Sequence, residues 1–258
     1  MTAARYAGKR VMITGSGGYF GRELAAAFAD AGAMLTLLDR PASESGAPAA
    51  PAWHTTTRSL EFDLSRADAI DALIDGLPDN ELPDILVNNA AIYPFADILE
   101  VDIALCRQML EVNLLAPLAL SQALARRWIA GGRTGTVVNV SSAAAEVARP
   151  NGALYGPTKA ALEQLTRILA VRLGGQGIRV NAVRPGIADD PERPHIPASH
   201  LAAVAGTVPM GRTIAPGELA RAVLFLAGEE ASFTTGQVLS VDGGGGLNRR
   251  VQLTGTST

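Results

Sequence analysis

Apolar positions along this 258-residue chain fall into two kinds of stretch: short continuous apolar runs, and longer segments in which apolar residues recur every three or four positions. The first kind predicts strands covered on both faces, and the second predicts helices packed against them. Strands are expected at Lys9 to Thr14, Ala33 to Leu38, Thr57 to Phe62, Asp84 to Val87, Thr136 to Val140, Arg179 to Val183 and Gln237 to Val241. Helices are expected in RELAAAFADAGA after Gly21, in SRADAIDALIDGL, over Ile103 to Ala130, over Ala153 to Gly174 and over Pro216 to Gly228. This alternation predicts an α/β fold, a doubly wound parallel sheet of about seven strands with helices on both faces.

Three segments break the pattern. Residues 41 to 54, PASESGAPAAPAWH, have no helical period although a crossover helix would be expected there, and read as a surface loop with room for one helical turn. Residues 187 to 215 are irregular and rich in proline and charge, with one short apolar helix around Ala198 to Ala205; they read as a substrate-binding lid. The polar residues 249–258 read as a flexible tail. Residues 1–258 otherwise suggest a single core.

Composition narrows the class of function. Net charge is 22 − 25 = −3 with no block of lysine or arginine, so no electrostatic footprint for nucleic acid or anionic membrane is expected. The apolar runs are short and interrupted, and none is expected to reach the ~20 residues that cross a bilayer. Cys106 is the only cysteine, which excludes an internal disulfide and makes a reducing, cytoplasmic setting the default. No grouping of His, Asp and Glu has metal-ligand spacing, so no metal is expected.

The chemistry concentrates at predicted strand ends. Gly15-Ser-Gly-Gly-Tyr-Phe-Gly21 lies between a strand and a helix, where glycines let backbone N–H groups and a helix N-terminus approach a diphosphate. The second strand leads into Asp39, 18 residues beyond Gly21, where a carboxylate can accept from the adenosine ribose hydroxyls and repel a 2′-phosphate. This favours NAD over NADP, although the adjacent Arg40 could instead meet that phosphate. Asp63 could reach the adenine amino group or cap the next helix. Asn88-Asn89-Ala90-Ala91 suggests a chain that passes close to a ligand and ties neighbouring strands by side-chain hydrogen bonds. Asn113 interrupts a helix for which asparagine is poorly suited, so a local distortion is expected there.

Tyr155 and Lys159 are four apart, on one helix face, where an ammonium can stabilise a phenolate and turn the phenol into a base. Ser142, thirteen residues upstream at a strand end, can reach the same point. Pro157 is tolerable only in a first turn, so the helix must begin near Ala153. Candidate walls of a substrate pocket are Tyr93, Pro94 and Phe95, then Glu146, Val147 and Arg149, and the lid residues His195, Leu201, Val204 and Met210.

Taken in this order and spacing, these marks, with Pro185-Gly186 and the ending FTTGQVLSVDGG, resemble the short-chain dehydrogenase/reductase superfamily of classical type over residues 7 to 247. The resemblance implies a Rossmann-type fold and a catalytic tetrad of Asn113, Ser142, Tyr155 and Lys159. It also implies a dinucleotide held by Gly15, Gly18, Tyr19, Phe20, Gly21, Asp39, Asp63, Leu64, Asn89, Ala90, Ala91, Tyr155, Lys159, Pro185, Gly186 and Ala188. The function it implies is NAD-dependent hydride transfer between the nicotinamide and a secondary alcohol or ketone, in a homotetramer. An NADPH-dependent 3-oxoacyl thioester reductase and a non-catalytic NAD(H)-binding regulator are the alternatives. The chain departs from the family in three places. Its glycine turn reads T-G-x-x-G-x-x-G, the pattern of the extended branch, with Tyr19 where the classical turn has glycine; Ala91 replaces a glycine; and Asp190 stands where a threonine often contacts the nicotinamide carboxamide.

Overall fold

The computed structural model describes residues 5–41, 57–149, 151–190 and 198–247. Most of the expected loop at 41 to 54, the tip of the expected lid with His195, and the expected tail lie outside the described residues.

Seven strands form one parallel sheet in the order β3-β2-β1-β4-β5-β6-β7. They are β1 (Arg10–Thr14), β2 (Met34–Asp39), β3 (Thr57–Glu61), β4 (Ile85–Asn88), β5 (Gly135–Val140), β6 (Ile178–Pro185) and β7 (Val238–Val241). The central strands β4 and β5 are buried throughout, as continuous apolar runs in a doubly covered sheet should be. On one face, Leu24 and Phe28 of α1 (Tyr19–Asp30) form a core with Leu219 and Val223 from the helix Glu218–Ala227. On the other face, Leu120, Leu124 and Trp128 pack with Leu169, Leu173 and the short α2 (Ile70–Asp75). The chain winds outward from β1 to β3 and then returns to β4 on the opposite side of β1. The crevice at the carboxyl ends of β1 and β4 is therefore a topological switch point, where open α/β sheets bind ligands.

Several boundaries differ from the sequence expectations for physical reasons. β6 extends through Arg184 and Pro185 because the edge strand β7 continues the ladder there, pairing Arg184 with Ser240 and Pro185 with Val241. The stretch expected as one helix from Ile103 consists of α3 (Ile103–Leu110), a π-helical turn (Glu111–Leu115) and α4 (Ala116–Ala130). Together these 28 residues hold an 18-residue window with a mean hydropathy of 1.4, long and apolar enough to match a bilayer span, contrary to the expectation that no stretch reaches that length. Their inner face is docked on the sheet, with Met109, Leu124 and Trp128 fully buried. The next long helix, α5 (Tyr155–Leu173), starts two residues later than expected, since Ala153 holds a left-handed φ of 45° that no helical residue can have. Pro157 is its third residue, where its missing N–H costs nothing. The short lid helix, α6 (Ala198–Thr207), and α7 (Glu218–Ala227) complete the described helices.

Candidate active site

A cleft of about 710 Å³ opens over the carboxyl ends of the strands. Its dinucleotide end is built from the turn after β1. Gly15 takes a φ of +64° and lies so close to Ala90 that a Cβ would approach its Cα to 2.7 Å; a Cβ on Gly21 would meet the Gly15 carbonyl at 2.0 Å. These two glycines are required by the turn itself. Gly18 is the N-cap of α1 and offers no side-chain cap, so the first N–H groups of α1 face the cleft unprotected. An anionic diphosphate suits that position.

Thr14 and Asn89 lock β1 to β4 across the crevice. The Thr14 hydroxyl accepts from the N–H groups of Asn89 and Ala90 at 3.0 and 3.1 Å, while Asn89 Nδ2 donates to the carbonyls of Thr14 and Gly15. Behind them Asn88 Nδ2 donates to Asn139 Oδ1 at 2.8 Å, the strand tie expected of this segment. Asp39 is held at the cleft by two N–H donors, Gly17 at 2.6 Å and Arg40 at 2.8 Å. Asp63 accepts from the backbone and hydroxyl of Ser65, which lower its pKa, and it also lines the cleft. Both roles weighed for it are thus geometrically open.

Every residue expected around the dinucleotide lines this cleft, including Tyr19, Phe20, Leu64, Ala91, Pro185, Gly186 and Ala188. So do Ser142, Tyr155 and Lys159. Ser142 lies two residues beyond β5 and caps the short turn Ala143–Ala145 by accepting from Ala144 N–H at 3.2 Å. Tyr155 is the first residue of α5. The Lys159 ammonium lies 5.8 Å from its ring centroid and donates to the Val140 carbonyl at 2.8 Å. Burial depresses the Lys159 pKa from 10.5 to about 8, because a desolvated ammonium is disfavoured.

Asn113 does not line the cleft but lies directly behind it, fully buried in the π-helical turn. The distortion expected at this residue is present. Its amide bonds the backbone N–H and carbonyl of Ile92 and donates to Thr158 Oγ1 on α5.

Tyr93, Pro94, Phe95, Glu146, Val147 and Arg149 line the remaining part of the cleft. The Tyr93 ring lies 5.5 Å from the Tyr155 ring and 6.2 Å from that of Phe95. From the described lid helix His200, rather than Leu201 or Val204, reaches the lining, and Met210 faces a different cavity. Asp190 is buried and lines the cleft.

The sequence reading missed Glu163 and Arg184. They form a bidentate pair, with Ser141 Oγ donating to Glu163 Oε1 at 2.6 Å. One signal was available: Tyr155, Lys159 and Glu163 repeat every four residues on one face of α5.

A family model described as enoyl-(acyl carrier protein) reductase matches residues 19–245. The chain belongs to the short-chain dehydrogenase/reductase superfamily. It is 35% identical to D-erythrulose reductase of Gallus gallus, covering 93% of this chain and 96% of that protein. It is 37% identical to a galactitol 2-dehydrogenase (L-tagatose-forming) of Cereibacter sphaeroides, covering 94% and 97%. A solved gluconate 5-dehydrogenase from Burkholderia cenocepacia J2315, in complex with NADP and tartrate, superposes with a TM-score of 0.84 at 31% identity, covering 95% and 97%. The chain is accordingly an oxidoreductase that acts on secondary alcohols or ketones with a nicotinamide cofactor.

Proposed function

We propose that this enzyme is an NAD-dependent dehydrogenase of a small polyol or ketose, with Tyr155 as acid/base. The observation that carries the proposal is the pairing of Tyr155 with a buried cation, Lys159, in a cleft that Ser142 also lines. Gly18 and the uncapped start of α1 would hold the diphosphate, and Asp39, already turned to the cleft by Gly17 and Arg40, would hold the adenosine ribose and disfavour a 2′-phosphate. When bound, the nicotinamide accepts or supplies the hydride.

The chain's own residues handle the proton and the oxygen. In oxidation the Tyr155 phenolate takes the hydroxyl proton of the substrate; in reduction the phenol returns it. Lys159 favours the phenolate by its charge, and Ser142 Oγ donates to the substrate oxygen as charge develops on it. Asn113 fixes the backbone of Ile92 and the start of α5 through Thr158, keeping the Tyr155 turn in register. Residues 187–190 and 198–215 belong to the segment read as the lid, whose two ends are tied where Ala188 bridges Ile214.

The similarity to erythrulose and galactitol enzymes supports the substrate class. The exposed apolar residues Ile168 and Val171 on α5 support a homotetramer built on that helix, and the single half-buried Cys106 fits a cytoplasmic setting. The test is an absorbance screen of C4 to C6 alditols and ketoses, with an acetoacetyl thioester as the competing substrate, each with both cofactors. Polyol or ketose turnover with NAD(H) is expected; turnover confined to the thioester with NADPH would refute the proposal.

A further inference from the structure

The wall of the cleft beside Ser142 carries an unbalanced charge. Arg184, at the end of β6, meets two carboxylates. Glu163 engages it through Nε at 2.8 Å and Nη2 at 2.6 Å, and is itself only 5% exposed. That bidentate contact neutralises the guanidinium within the protein, where an unpaired charge would be costly. The second carboxylate, Glu146, approaches Arg184 Nη1 at 2.5 Å, and its side chain is 46% exposed. One cation facing two anions leaves one negative charge. It resides at the cleft, on Glu146, because Glu163 is enclosed.

Glu146 is also held in place. Its carboxylate is held by Arg184 Nη1, and its other oxygen, Oε2, lies against the turn at Gly246, where an added Cβ would come within 2.7 Å of it. The other charged lining groups are three carboxylates, Asp39, Asp63 and Asp190, and three cations, Arg40, Arg149 and Lys159, which balance in number and leave Glu146 as the odd charge. Tyr93 and Phe95 supply apolar ring faces to the same cavity.

We propose that Glu146 is a specificity-determining residue that selects neutral polyhydroxy substrates and rejects carboxylates of the same chain length. The inference rests on the reading of this cleft as a secondary-alcohol site. A fixed carboxylate accepts from a hydroxyl without reorganisation, whereas a substrate carboxylate brought beside it loses hydration and meets a like charge. Aromatic faces complement the C–H faces of a polyol chain. The solved relative named for gluconate indicates that the fold itself does not enforce this choice.

The test compares galactitol with galactonate, matched in carbon chain and differing in charge, on the wild type and E146Q. kcat/KM is measured with NAD⁺, and dissociation constants on the NADH-loaded protein are measured by calorimetry. The wild type is expected to favour galactitol by about ten-fold or more, the order of a single like-charge pair near a surface, and E146Q is expected to remove most of that ratio. An unchanged ratio in E146Q, equal binding of the two compounds by the wild type, or binding of neither would overturn the inference. Should E146Q fail to fold, raising the ionic strength on the wild type serves instead: galactonate affinity must improve selectively, and no selective change counts against the proposal. Discrimination in binding with no turnover of any alcohol would reject the dehydrogenase reading alone and leave the role of Glu146 standing.

Discussion

Asn113 and Ile92 form a closed pair: the asparagine Oδ1 accepts the Ile92 N–H, and its Nδ2 donates to the Ile92 carbonyl, each at 2.9 Å. With the third bond to Thr158 Oγ1, one buried side chain joins the segment after β4, the π-helical turn and the first turn of α5. Asn113→Ala would leave both Ile92 groups short of partners in a part-buried setting and empty a fully buried position. The expected loss is about 2–4 kcal/mol of unfolding free energy, measured by urea denaturation, with kcat falling as well. A loss under about 1 kcal/mol would mean the pair is incidental.

The glycine turn separates into residues needed by the fold and one needed by the ligand. A Cβ at Gly21 strikes the Gly15 carbonyl, whereas at Gly18 its nearest contact is an ordinary 3.5 Å. Gly21→Ala should therefore destabilise the protein without any ligand present. Gly18→Ala should leave the ligand-free melting temperature close to wild type and weaken NADH binding. Equal effects of the two substitutions on ligand-free stability would contradict this division.

Cofactor choice depends on Asp39. Asp39→Asn keeps an oxygen for the Gly17 N–H and removes the charge, so the affinity ratio of NADPH to NADH should rise by about ten-fold or more in fluorescence titrations. Arg40→Ala should move the ratio the other way if Arg40 contributes to phosphate binding. A ratio that ignores Asp39→Asn would remove the basis for NAD preference.

Lys159 gives a pH signature. Its pKa is about 8 in the folded protein and ~10.4 when unfolded. Between these values the unfolded chain binds the extra proton, so this group makes stability rise with pH across that window; below about 8 it is a constant penalty. Relative to Lys159→Met, the ligand-free wild type should gain stability from about pH 8 to 10 and show no change in the difference below pH 7. Parallel stability curves for the two proteins over the whole range would show that burial does not depress this lysine.

Much of this was legible because it depends on local rules. Apolar runs marked the strands, Pro157 fixed the start of α5 to within two residues, and an asparagine inside a helix marked the π-helical turn. What escaped depends on chain segments meeting from a distance. Arg184 lies one residue beyond the expected strand Arg179 to Val183, and Glu163 is one polar residue among several on its helix; only the docking of α5 on β6 makes them a buried pair, with Glu146 as its third member. The left-handed φ of Ala153 has no sequence signature, since alanine is not a residue that favours it. The span-like length of the helix from Ile103 was not legible in its apolar runs because Glu111, Asn113 and Gln122 interrupt them; it emerges only as an average over a window.

The central claim is that the Tyr155 hydroxyl moves the proton while the rest of the site binds and orients. The most direct measurement is Tyr155→Phe, which removes one oxygen and keeps the ring beside Lys159 and Tyr93. The account predicts NADH affinity within about three-fold of wild type and turnover reduced by at least about 10³-fold, within the 10²–10⁴ that a positioned acid/base contributes. Turnover near the wild-type rate in that variant, with NADH still bound, would contradict it.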